Sequence, residues 1–398
     1  MVARFSPLLA ALAFAALGIG SGSAFAQAAA GVQHSQGVYH KAVCPGPAAA
    51  GTARCHAHVV TDSAGNPIVS NANTGPSGYW PADLRSAYAV SSGGSGAVTV
   101  AIVDAFGYTN AESDLAVYRS RFGLPACTTA NGCFRKVNQS GGSGSYPRQD
   151  TGWAQETALD LDMVSAMCPN CHILLVEATT NSYANLATAV RTAAGLGAHV
   201  ISNSYGGGES GSTSYETSYD QPGVAVTVST GDSGYGVQFP ASSPHVVAVG
   251  GTHLTQNSGV ARGWSETVWS GAGSGCSSVY AKPSWQVGVV FSCTMRAEAD
   301  VSAVADPNTG VAVYGPTRRG SAWMVFGGTS VSAPLIGGLY GVNGGSVNYG
   351  ADPYSHTNAL NDVTSGSNGS CNGSSLCTAQ SGWDGPTGLG TPIDSTAF

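Results

Sequence analysis

The chain has 398 residues, enough for one large domain or two ordinary ones, and 42% of them are hydrophobic. Only 9% are charged, against an average near ~25%, and the net charge is -7 with no basic run, which argues against a nucleic acid or an anionic membrane surface as partner. With 15 Lys plus Arg, self-repulsion stays small when carboxylates protonate, so the composition suits an acidic medium.

The first element is a secretory signal, expected over 1–26. Arg4 supplies a positive start, 7–19 is apolar, and Ala24-Phe25-Ala26 has the small-x-small form of a cleavage site. The apolar run is shorter than the ~20 residues that a membrane span needs. No later run is long and apolar enough to cross a bilayer, so the mature chain is expected to be soluble and exported; it is also expected to be a monomer. Residues 27–78 are Ala/Gly/Ser-rich with little periodicity and are expected to form a short loop-like arm. At about fifty residues it is marginal for a core of its own. The main domain is expected from Tyr79 onward. Strands are predicted over 97–103, 172–176, 198–202, 224–229 and 246–249, and helices over 110–122, 152–167 and 183–195. Buried apolar strands joined by helices imply an α/β fold with a parallel sheet covered on both faces. The ten cysteines are even in number and fall into sequence neighbours, so five local disulfides are predicted: 44/55, 127/133, 168/171, 276/293 and 371/377. Cys168-Pro169-Asn170-Cys171 has no second ligand pair, which favours a plain disulfide over zinc.

Three segments carry the chemistry. Gly327-Gly328-Thr329-Ser330-Val331-Ser332-Ala333-Pro334 leads into an apolar helix predicted over 335–340. Serine before a helix is commonly only a cap, but this run also suits a nucleophile at a helix N-terminus. A serine hydroxyl needs a base. None of the nine histidines lies in a His-Gly-Thr-His context, and they are read as structural. Glu156 and Asp160, spaced i, i+4 in an otherwise apolar helix, share one helical face. Two such carboxyls resist joint ionisation and share a proton, so they can accept the serine proton in acid. Asp162 should point elsewhere. Ser229-Thr230-Gly231-Asp232-Ser233-Gly234 follows a strand at its C-terminal end, where open parallel sheets place their sites. A protonated Asp232 there could donate to an oxyanion.

In this order the three segments resemble the sedolisin (serine-carboxyl peptidase) family of the subtilisin-like superfamily, from about residue 79 to the C-terminus. The resemblance implies a subtilisin-like three-layer α/β fold and a serine-type peptidase acting on polypeptides. It makes Ser330 the nucleophile, Glu156 its base, Asp160 the group that polarises Glu156, and Asp232 the oxyanion partner of the Ser330 N–H. Ser202, Ser204, Tyr205 and Gly206 fall in the family's substrate-binding strand and loop. Asp104 stands where a subtilisin carries its triad aspartate and, without the histidine, is read as structural or cleft-lining. The resemblance further implies one structural calcium held by Asp362 and Asp384 through carboxylates and by Val363, Gln380 and Gly382 through carbonyls. Gln380 replaces a common glycine, and a Cys371/Cys377 loop is inserted before it. The family's long prosegment has no counterpart in 27–78, which is expected to be a reduced prosegment or a retained arm. The reading from another class is a secreted binding or surface protein with this fold and no turnover.

Overall fold

A computed structural model describes residues 29–70, 75–344 and 347–398; the expected signal segment lies outside them. The central sheet runs in the order Trp264–Val268, Val247–Gln256, Ala225–Ser229, Val200–Asn203, Thr99–Ala105, His172–Ala178, Phe134–Asn138, with Val301–Val304 also paired to Val247–Gln256. Every pairing is parallel except that of Trp264–Val268. These strands are β-branched and buried along nearly their whole length, as a sheet covered on both faces requires.

Successive strand residues alternate between the two faces. Val100 and Ile102 pack in one core with the helices Thr151–Met167 and Thr329–Asn343. Ala101 and Val103 pack in another with the helix Tyr183–Gly195. The result is the expected three-layer subtilisin-like fold. Asp150 caps Thr151–Met167 by accepting the Trp153 N–H at 3.1 Å. From Trp153 to Met167 every residue of that helix is buried, so its acids cannot face water.

Three expectations need correction. The helix after the Ser330 motif spans Thr329–Asn343, longer than 335–340, because it is buried all round and is stabilised by packing that local propensity does not reveal. The strand Phe134–Asn138 was not anticipated, since its FRKVN sequence lacks an apolar run. The arm 27–78 is not loop-like. Gln33–Ser35, Val38–Ala42 and His58–Thr61 form a five-stranded sheet with the hairpin Val311–Thr317/Gly320–Gly327. Its arm strands are short, and only His58–Thr61 reaches the hairpin, more than 200 positions away, so periodicity does not announce the sheet. All five disulfides pair sequence neighbours as expected.

Candidate active site

Ser330 stands in the first turn of Thr329–Asn343, where helical N–H groups lack intrahelical acceptors. Gly328 turns the chain into that helix at φ 102°, a conformation that disfavours side chains. The Ser330 hydroxyl donates to the Ser204 carbonyl at 3.3 Å. The Ser204 hydroxyl donates to Asp160 Oδ1 at 2.8 Å. One segment, Asn203 to Tyr205, thereby links the serine to the acidic helix.

Glu156, Asp160 and Asp104 are fully buried together. Burial is the main force that raises the Glu156 and Asp160 carboxyls well above the ordinary range, and the charge of Asp104 adds to it in both. The Ser330 hydroxyl and the Ala57 N–H approach Glu156 and offset part of this rise. Neither completes a well-aligned hydrogen bond to it, and both carboxyl oxygens lack a partner among the described residues. Burial raises Asp104 to about 7; Thr157 opposes the rise and Glu177, opposite it across the Thr99–Ala105/His172–Ala178 pairing, adds to it. Asp104 is thus a third member of the acid cluster. Its linear context could not reveal this, because the helix and strand meet only in three dimensions. Asp162 points away, as expected, and accepts the Tyr314 N–H at 2.9 Å.

Asp232 reaches the same site from the end of Ala225–Ser229. Its Oδ1 accepts both the N–H and the hydroxyl of Thr329, each at 2.8 Å, while Oδ2 has no hydrogen-bond partner among the described residues. Burial raises this carboxyl to about 7 against the Thr329 bonds, which lower it. Below that pH it carries a proton, and Oδ2 is the oxygen free to present it.

Two histidines that looked structural lie inside the site. His58 Nε2 is 3.6 Å from Asp232 Oδ2, and His58 Nδ1 is 3.0 Å from His40 Nδ1. His56 Nδ1 is 2.7 Å from Ser229 Oγ and its Nε2 is 3.1 Å from Gln238 Oε1. Burial holds both below the usual imidazole range, His56 at about 3. The one sequence signal for them is the alternating His56-Ala57-His58-Val59 run beside Cys55. Of the expected substrate-binding residues, Tyr205 and Gly206 form a short buried strand that pairs antiparallel with Arg54–Cys55. Ser204 supplies the shared carbonyl. Ser202 lies inside the central sheet, beneath Gly337 of the Ser330 helix.

Far from this cluster, Asp362 Oδ2 accepts the Gly382 N–H at 2.9 Å. Asp384 Oδ1 accepts from Thr387, and its Oδ2 accepts the Gln380 N–H at 3.2 Å. Burial, with the Asp362 charge adding, raises Asp384 to about 7. The carbonyls of Val363, Gln380 and Gly382 accept no backbone hydrogen bond among the described residues. No group of three His, Cys, Asp or Glu side chains able to hold a metal occurs among the described residues. Two carboxylates with free carbonyls nevertheless form an all-oxygen set of the kind a hard cation takes.

A parallel sheet covered on both faces, a serine opening a buried helix and a carboxyl cluster beside it make up a subtilisin-like fold and its candidate site. The Subtilase family model matches residues 151–343. Kumamolisin of Bacillus sp. (strain MN-32) is 32% identical over 80% of this chain and 62% of that protein. Sedolisin of Pseudomonas sp. (strain 101) is 34% identical over 42% of this chain and 33% of that protein. The solved structure of Pseudomonas sedolisin, a serine-carboxyl proteinase complexed with pseudo-iodotyrostatin, superposes with a TM-score of 0.67 at 27% identity, covering 81% of this chain and 97% of that one. The chain therefore spans less than two thirds of the curated relatives it matches. Its similarity is to proteins of the sedolisin family of the subtilisin-like clan.

Proposed function

We propose that the chain is a secreted serine-carboxyl peptidase that hydrolyses polypeptides in acid. The observation that carries this reading is that neither histidine beside the site is free among the described residues: both ring nitrogens of His56 are engaged by Ser229 and Gln238, and those of His58 face His40 and Asp232. Glu156 is the base left to the serine. In the proposed reaction Glu156 takes the Ser330 proton as Oγ attacks a substrate carbonyl. Asp160 holds the pair's second proton, and Asp104 keeps the cluster from ionising fully. The oxyanion is met by the proton on Asp232 Oδ2 and by the Ser330 N–H. Glu156 then protonates the leaving amine, and water hydrolyses the acyl-enzyme. The substrate would lie as an extended strand along Tyr205–Gly206, with Ser204 as acceptor, and Ser202 would act only by supporting that edge.

Residues 1–26 are the proposed signal, 27–78 the arm, and 79–398 the peptidase domain, working as a monomer. The proposed calcium would be held by Asp362, Asp384 and the carbonyls of Val363, Gln380 and Gly382, and would brace the C-terminal loops by favouring the folded state. The test of the activity is digestion of an unfolded protein from about pH 3 to 8, spanning carboxylate and imidazole titration, by wild type and Ser330→Ala. Cleavage that peaks in acid and vanishes in the variant is expected. Cleavage that survives the substitution would refute the assignment.

A further inference from the structure

The row of acids does not end at Asp104. Alternate residues of a strand share a face. Val100 and Ile102, Ile173 and Leu175, and Phe134 all pack in the core that holds the helix Thr151–Met167. By the same alternation Asp104, Glu177 and Lys136, on three neighbouring strands, look toward that helix. Asp104 and Glu177 are directly opposite in the parallel register, on strands about 4.8 Å apart. Lys136 Nζ lies 3.3 Å from Glu177 Oε1, which also accepts the Tyr108 N–H at 2.7 Å. The ammonium donates to the Tyr108 carbonyl at 2.8 Å and stands 4.3 Å from the centre of the Tyr146 ring. The Lys136 side chain is 16% exposed and that of Glu177 only 1%. A line of ionisable groups thus runs from a cation at the surface, through Glu177 and Asp104, to Asp160, Glu156 and Ser330.

Such a line gives a negative charge more than one place to settle. The Ser330 hydroxyl approaches Glu156, whereas the hydroxyl beside Asp104 is that of Thr157. A charge on Asp104 is therefore idle, and it makes a charge on Glu156 harder to form. The Thr157 contact favours the idle charge, and Glu177 opposes it. Burial works against a charge on Glu177 itself, while the Tyr108 N–H and Lys136 support one. The titratable groups around Asp104 are Glu177 within the sheet, Glu156 and Asp160 on the helix, and the Tyr205 phenol; Asp232 bears on Glu156. Of the three acids around Asp104, Glu177 alone has a cation within ion-pair distance among the described residues.

We propose that Glu177, anchored by Lys136, is a positioning residue that steers the cluster's first negative charge off Asp104 and onto Glu156, where it can serve Ser330. This rests on the peptidase reading above. With Glu177 ionised, a carboxylate on Asp104 would face a like charge across one strand spacing, so the charge goes to the Glu156/Asp160 pair. With Glu177 neutral, Asp104 takes a share of it, and the fraction of enzyme with a ready base falls. Neither Glu177 nor Lys136 belongs to the segment proposed to hold the substrate, so the change falls on kcat and leaves KM. Glu177 must itself be ionised to act, and burial raises its carboxyl above the ordinary 4.5. The steering is therefore off in strong acid and comes on as pH rises. The pair sets how far activity extends toward neutral pH.

The test measures kcat and KM of the full chain on an unfolded protein from about pH 3.5 to 6.5, across carboxylate titration, for wild type, Glu177→Gln and Lys136→Met. A glutamine oxygen can still accept the Tyr108 N–H. The ratio of wild-type to variant kcat should stay within about twofold at the acid end and climb toward about tenfold at the upper end, the worth of one pKa unit. KM should not change. In an Asp104→Asn background the competing carboxyl is gone, and Glu177→Gln should no longer produce the climb. A ratio of one at every pH, or a loss of equal size at every pH, as simple destabilisation gives, would overturn the inference and leave the peptidase reading standing. A climb that persists without Asp104 would do the same. No turnover by wild type at any pH would overturn both. If Glu177→Gln does not fold, Lys136→Met keeps every carboxyl and is read by the same ratio, which decides the matter alone if Asp104→Asn is inactive.

Discussion

Replacing Asp232 with Asn, in a Ser330→Ala background that prevents autolysis, removes one buried titration and nearly preserves shape. Burial raises this carboxyl to about 7 from 3.8. The gap of roughly 3 units corresponds to about 4 kcal/mol at 1.36 kcal/mol per unit. Because the folded value lies above the unfolded one, the contribution is fully present below about pH 4 and is lost as pH rises to about 7. His56 acts in the opposite sense. Its folded value of about 3 lies below 6.5, so its contribution is present above 6.5 and is lost as pH falls toward 3. The two oppose each other between pH 4 and 6.5, and the total slope therefore tests neither. The difference between parent and Asn variant isolates Asp232. An amide oxygen can still accept from Thr329, so the variant should match the parent or fall slightly below it at pH 4, and gain on it by up to about 4 kcal/mol by pH 7.5. Urea unfolding followed by tryptophan fluorescence across this range reads the difference. A difference that changes by less than one unit's worth, about 1.4 kcal/mol, would refute the claim that Asp232 is held protonated by burial.

Other substitutions separate the remaining roles. Glu156→Gln should lower kcat by about 100- to 10,000-fold, the usual worth of a general base, with an unchanged melting temperature in acid, where the buried Glu156 carboxyl is itself neutral; near-normal turnover would return the base to another residue. Gly328→Ala, at φ 102° and against the His56 carbonyl, should cost about 1–3 kcal/mol of stability from backbone strain alone, read as a lowered melting temperature. Chelator should lower the melting temperature of the parent and leave Asp384→Asn unmoved. If calcium is present at about 100 times its dissociation constant, the effect is about 2.7 kcal/mol, and an unmoved parent would count against the ion.

The helix carrying Glu156 and Asp160, the turn carrying Ser330, the strand end carrying Asp232 and the five disulfides were all legible from the sequence. Each is a local pattern: an i, i+4 spacing, a glycine pair before small residues, a strand followed by Gly-Asp, a cysteine beside its neighbour. The tertiary structure decided how these patterns act together. It buried the acidic helix on all sides, and that burial, not the spacing, raises its carboxyls. It brought Asp104 into the cluster from a strand about fifty residues earlier. It also laid Arg54–Cys55 along Tyr205–Gly206 and His58–Thr61 along Gly320–Gly327, turning an unpatterned arm into the cover of the site. Pairing of that kind is written in backbone groups, which every residue but proline carries alike, so side-chain sequence has little with which to announce it.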